Sequence, residues 1–167
     1  MDKISYINGY SKELQQKVLK LIEENNLGKY LKSKYPTCHN ITNNKLLYTH
    51  AVSLKNELLN NKIPLSKIEY DSKINSVENA LGLHTFISRV QGNKLKSKNE
   101  IKISTQVKTA PLEFLNLLII HELAHFKHKE HNKAFYNLCE YMMSDYFQIE
   151  FDLRLYLTYL KLFGKLY

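Results

Sequence analysis

The chain changes character abruptly at residue 121, and that change constrains its fold more than any other feature. The apolar run LNLLII (115–120) leads directly into HELAHFKHKEH (121–131), which holds four of the seven histidines. A run this apolar must be buried, so the histidines begin where a buried helix emerges into a cleft. A helix turning about 100° per residue sets His121 and His125 within roughly 40° of each other and about 6 Å apart along the axis. Both imidazoles can then reach one ion at about 2.1 Å. Glu122, beside the first histidine, can face a water on that ion. This is the HExxH arrangement, in which two histidines hold Zn²⁺ and the glutamate takes a proton from water.

A tetrahedral catalytic site needs a third protein ligand and one open position. His131 is the first candidate, with Glu140 and Glu150 behind it. On an unbroken helix His131 would lie about 15 Å beyond His121, so it can bind only if the helix stops after His125 and the chain doubles back. KHKE (127–130) lacks apolar periodicity and Asn132 can cap a following helix, so the sequence permits that reversal. His128 shares a helix face with His121 but lies about 10 Å up the axis, which makes it a neighbouring or surface histidine. Phe135 and Tyr136 read as core residues anchoring the returning helix, with a stacking or substrate role as a second reading for Tyr136. Tyr141, Tyr146 and Arg154 are candidates for stabilising a developing oxyanion, and no spacing selects among them. His84, in an expected strand, reads first as structural and second as a residue near the metal should that strand border the site; His39 and His50 carry no spacing signal, and Cys38 and Cys139 read as small apolar residues.

With 167 residues, 44% of them apolar and 24% charged, the chain suits one hydrophobic core and is neither disordered nor collagen-like. Two distant cysteines exclude a disulfide framework and a Cys-rich zinc site. The N-terminus lacks a secretory pattern, and no apolar run approaches the roughly 20 residues that cross a bilayer; a cytoplasmic location without membrane contact is expected. Helices are predicted over about 11–26, with Gly28 as an interruption or C-cap, over 43–60, from Thr109 and Pro111 through the apolar run, over 133–143, and over 149–163. In the last segment a strand-like alternation competes. Strands are predicted at 67–71, 83–90 and 100–104. Residues 1–63 are expected to form a helical segment packed on a core spanning 64–167.

The formal charge is +8, and Arg89, Lys94, Lys96, Lys98, Lys102 and Lys108 crowd one stretch. A solvated hairpin is the plain reading. A rim contacting phosphates is the other, and with it weak association with DNA or another polyanion.

The segment IIHELAHFKHKEHNKAFYNLCEYMMSDY (119–146) resembles the YgjP-like metallopeptidases, related to the SprT group of minimal zinc-dependent proteases, and HTFISRVQGNKLKSKNEIKIS (84–104) resembles the strand region before their active-site helix. The resemblance implies a zincin-like α+β fold: a small antiparallel or mixed sheet of about three strands packed on the HExxH helix, with additional N- and C-terminal helices. It implies that His121, His125 and His131 match the metal ligands and Glu122 the general base of a peptidase acting on a protein or peptide. An extended substrate could pair with the backbone around Ile101 and Ile103. The alternative is a basic nucleic-acid-associated protein whose metal is structural, or whose protease acts only on DNA-bound protein.

Overall fold

The computed structural model describes residues 4–59, 64–74 and 99–167. Helix α1 (Lys12–Glu23) starts at Ser11, whose Oγ accepts a hydrogen bond from the Leu14 amide at 3.3 Å, and it buries Val18 and Ile22. Asn25, at φ 55°, turns the chain into a short helix α2 (Leu27–Lys34). Gly28, expected as an interruption or C-cap of the first helix, neither interrupts nor caps it. It lies inside α2 instead, where a Cβ would come within 2.8 Å of the Tyr159 ring, so close packing rather than helix termination calls for glycine. Helix α3 (Asn44–Leu59) follows, with Asn43 Oδ1 accepting from the Leu46 amide at 2.9 Å.

Strands β1 (Lys67–Asp71) and β2 (Glu100–Ser104) occupy the residues expected, and pair with Ile68 opposite Ile101 and Tyr70 opposite Ile103. They run parallel, whereas the expectation was an antiparallel or mixed sheet of about three strands. A parallel pair needs a crossover of a dozen or more residues, and residues 72–99 exceed that length. The strand expected at 83–90 lies outside the described residues.

Helix α4 (Leu112–Ala124) is the centre of the core. Phe114, Leu115, Leu117, Leu118, Ile119 and Ile120 are all buried, so it is apolar around its circumference, as an enclosed helix must be. Pro111 rather than Thr109 occupies its N-cap and no side chain caps it; the proline fixes φ where no amide partner is needed. Helix α5 (Lys133–Met142) and helix α6 (Tyr146–Phe163) complete the chain. The ambiguous segment 149–163 is helical, and its helix begins one turn earlier than expected. Leu153, Leu155, Tyr156 and Leu157 of α6 are buried, and the Tyr156 ring lies 5.4 Å from that of Phe114 on α4. The result is a mostly helical α+β arrangement with a small parallel sheet. Among the described residues no helix is long and apolar enough to cross a membrane.

Candidate metal centre

Helix α4 stops at Ala124, and the amides of Lys127 and His128 both bond to the Ala124 carbonyl at 3.0 Å, closing a tight turn. Asn132 opens α5 by accepting the Phe135 amide on Oδ1 at 3.0 Å. Between these two stops the chain reverses, and His131 returns over the end of α4. The Nε2 atoms of His125 and His121 are 3.3 Å apart, those of His125 and His131 3.0 Å, and those of His131 and His121 3.1 Å. His121 and His125 are buried and His131 is exposed, so the cluster opens to solvent on one side. Phe135, fully buried, lies beneath all three rings, at 4.9 Å from His121, 4.3 Å from His125 and 4.8 Å from His131.

The remaining ring nitrogens show which atoms face inward. His125 Nδ1 lies 2.9 Å from the His128 carbonyl; a carbonyl only accepts, so Nδ1 carries the proton and a neutral ring presents a bare Nε2 lone pair to its neighbours. His121 Nδ1 lies 2.6 Å from the hydroxyl of buried Tyr146, which is also hydrogen-bonded to Cys139. Three imidazole nitrogens this close repel one another unless a cation lies among them. Donors at 2.0–2.1 Å from a tetrahedral ion stand roughly 3.3–3.4 Å apart, close to the separations found. The three histidines therefore fit a metal ion, with the outer nitrogens of His125 and His121 held by a carbonyl and a phenol, as metal-bound histidines commonly are. Burial pushes the Cys139 thiol up to about 12, so it stays protonated. Burial also raises the Tyr146 phenol, and Cys139 and Glu150 add to the effect.

Glu122 sits half-buried one residue beyond His121. The other candidate ligands are elsewhere: Glu140 is exposed, and Glu150 holds the Arg154 guanidinium at 2.6 Å. Arg154 also donates to the Tyr6 carbonyl, and Tyr141 is 81% exposed. Ile101 and Ile103 are 1% and 2% exposed, so their side chains belong to the core and offer a substrate nothing beyond backbone. Tyr136 does border the cluster, its ring 6.1 Å from that of His131, and burial raises its phenol pKa. His50 Nε2 meets Asn116 Oδ1 at 2.6 Å and His39 Nε2 meets the Val107 carbonyl at 2.8 Å, both structural contacts. Of the lysine-rich stretch, Lys102 pairs with Asp71 and Lys108 lies over the Tyr70 ring; Arg89, Lys94, Lys96, Lys98 and His84 lie outside the described residues. The sequence reading missed two parts: the hold of Tyr146 on His121, which spans 25 residues, and Phe135 as the floor of all three imidazoles.

Comparison with known proteins agrees with this geometry. The family description "YgjP-like, metallopeptidase domain" matches residues 69–156. A protein of Escherichia coli (strain K12) named UTP pyrophosphatase is 49% identical over 162 residues, covering 97% of this chain and 97% of its own. No solved structure matches. With a family match over more than half its length and so similar a relative along nearly all of it, the chain belongs to the YgjP-like metallopeptidase-domain family.

Proposed function

We propose that the protein is a zinc-dependent hydrolase that splits UTP into UMP and pyrophosphate. The convergence of three imidazole nitrogens beside Glu122 carries the metal-hydrolase reading, because His-only donor sets with a neighbouring carboxylate suit Zn²⁺ and water activation. The bond is taken from the relative, since 49% identity along nearly the whole chain supports a shared reaction. His121, His125 and His131 would hold the ion through Nε2. Once bound, it supplies Lewis acidity, making water a stronger acid and drawing charge from phosphoryl oxygens. Glu122 takes the proton of the attacking water as the new P–O bond forms and the bridge between the α- and β-phosphates breaks, then hands it to the departing pyrophosphate. The His128 carbonyl keeps His125 in the tautomer that turns Nε2 inward, and the Tyr146 hydroxyl orients the His121 ring.

Purified protein incubated with UTP and Zn²⁺ is expected to release UMP and pyrophosphate in equal amounts, and a chelator is expected to stop it. Absence of nucleotide turnover by metal-loaded protein sinks this reading. Peptide-bond hydrolysis is the second reading, favoured by the family description over residues 69–156; cleavage of casein in a parallel assay, with UTP untouched, would install it.

Tyr146→Phe is expected to weaken Zn²⁺ binding about 10–100-fold, the usual effect of removing the group that orients a ligating histidine. A competition titration against a chromophoric chelator measures it. Unchanged affinity would mean that the hydroxyl does not hold His121 in place.

A further inference from the structure

Two aromatic rings beside the imidazoles remain partly in water. Tyr136 is half-buried next to His131, and Phe147 packs on Tyr136 with ring centres 5.5 Å apart and planes inclined by 36°. Phe147 nevertheless leaves 46% of its surface exposed. It also meets the Tyr146 ring edge-on at 5.5 Å, and Tyr146 holds His121. A lone exposed phenylalanine is unremarkable on a protein surface. This one is the outer member of an aromatic series that reaches the candidate metal site by two routes, through Tyr136 to His131 and through Tyr146 to His121.

The turn that carries His131 is basic. Lys127, Lys129 and Lys133 are exposed there and have no ion pair among the described residues, against a single acidic neighbour, Glu130. Aromatic faces and free ammonium groups around one hydrolytic centre match the two halves of a nucleotide: a flat base and a polyanionic tail.

We propose that Phe147 and Tyr136 form the platform on which the base of a nucleoside triphosphate stacks, while Lys127, Lys129 and Lys133 draw its phosphates to the imidazoles. This assignment rests on the nucleotide reading above and supplies the substrate contacts that the metal chemistry leaves open. Every base has a π-face, so stacking gives affinity without selecting a base; the platform serves CTP as it serves UTP.

The chain contains no tryptophan, so Phe147→Trp places a single indole fluorophore at the platform and preserves an aromatic face. Titration with UTP, and equally with CTP, is expected to quench that fluorescence, whereas inorganic tripolyphosphate is expected to leave it unchanged while displacing UTP. Phe147→Ala is expected to raise KM for UTP by roughly tenfold or more, the effect of losing one base-stacking contact. The triple change Lys127→Ala, Lys129→Ala and Lys133→Ala is expected to weaken UTP and tripolyphosphate alike, with Lys20→Ala, at the far end of helix α1 from Tyr10, as a control for loss of charge. No quenching by UTP, or an unaltered KM in Phe147→Ala, overturns the platform. A wild-type protein that fails to hydrolyse UTP overturns the activity reading instead, and quenching by UTP in that case leaves the platform standing.

Discussion

Glu122→Gln is expected to lower kcat by about 10²–10⁴-fold, the usual contribution of a positioned general base, while the protein keeps its metal. The amide has nearly the shape of the carboxylate but cannot accept a proton from water at neutral pH. The three converging nitrogens belong to His121, His125 and His131, so the ion should not depend on Glu122. Pyrophosphate release and metal content, measured on the same preparation, separate the possibilities. Retained turnover would remove Glu122 as the base. Lost turnover together with lost metal would make it a ligand instead.

The second large effect concerns stability and lies far from the imidazoles. Asp152 of α6 is fully buried. It accepts hydrogen bonds from the Tyr30 hydroxyl at 3.0 Å, the Tyr35 hydroxyl at 2.8 Å and Gln148 Nε2 at 3.2 Å, and it pairs with the Lys34 ammonium. Helix α2 and its C-cap are thereby clamped onto α6. Burial raises both phenols, and the adjoining carboxylate raises them further. Asp152→Ala leaves the Tyr35 hydroxyl without its acceptor and opens a cavity, whereas Lys34, with 38% of its side chain exposed, can rehydrate. The expected loss is roughly 2–4 kcal/mol, somewhat below that for breaking a wholly buried pair. In a domain of this size that lowers Tm by roughly 5–15 °C. Calorimetry reads the shift directly, and an unmoved Tm would show that the clamp contributes nothing to stability.

Much of the scaffold around the site was legible because it depends on local rules. Ile101, Lys102 and Ile103 alternate as a half-buried strand does, and β2 occupies the residues that pattern marks. The reversal after His125 was readable from the loss of apolar period, and Asn132 caps the helix it was expected to cap. Helix α2 was not foreseen: Leu27 and Leu31 give only one turn of apolar period, and Gly28 reads locally as a terminator until the Tyr159 ring is seen against it. Strand direction was hidden too, since the alternation of Ile101, Lys102 and Ile103 is the usual mark of an antiparallel sheet with one solvated face, yet here it belongs to a parallel pair. At the site, spacing could bring His121, His125 and His131 together, but nothing in it reaches Tyr146. Nor could the motif name the bond to be cleaved, because two imidazoles and a carboxylate specify water activation alone. Whether a peptide or a phosphoanhydride is cleaved is therefore a question for the UTP and casein assays, since the three histidines and Glu122 serve either bond.

X-ray absorption at the zinc edge of the zinc-loaded full chain tests the central claim most directly. One ion per chain is expected, with the scattering signature of three imidazoles at about 2.0–2.1 Å, falling to two in His131→Ala. A chain that takes up no zinc at neutral pH, or an ion surrounded by oxygen or sulfur donors with fewer than three imidazoles, would contradict it.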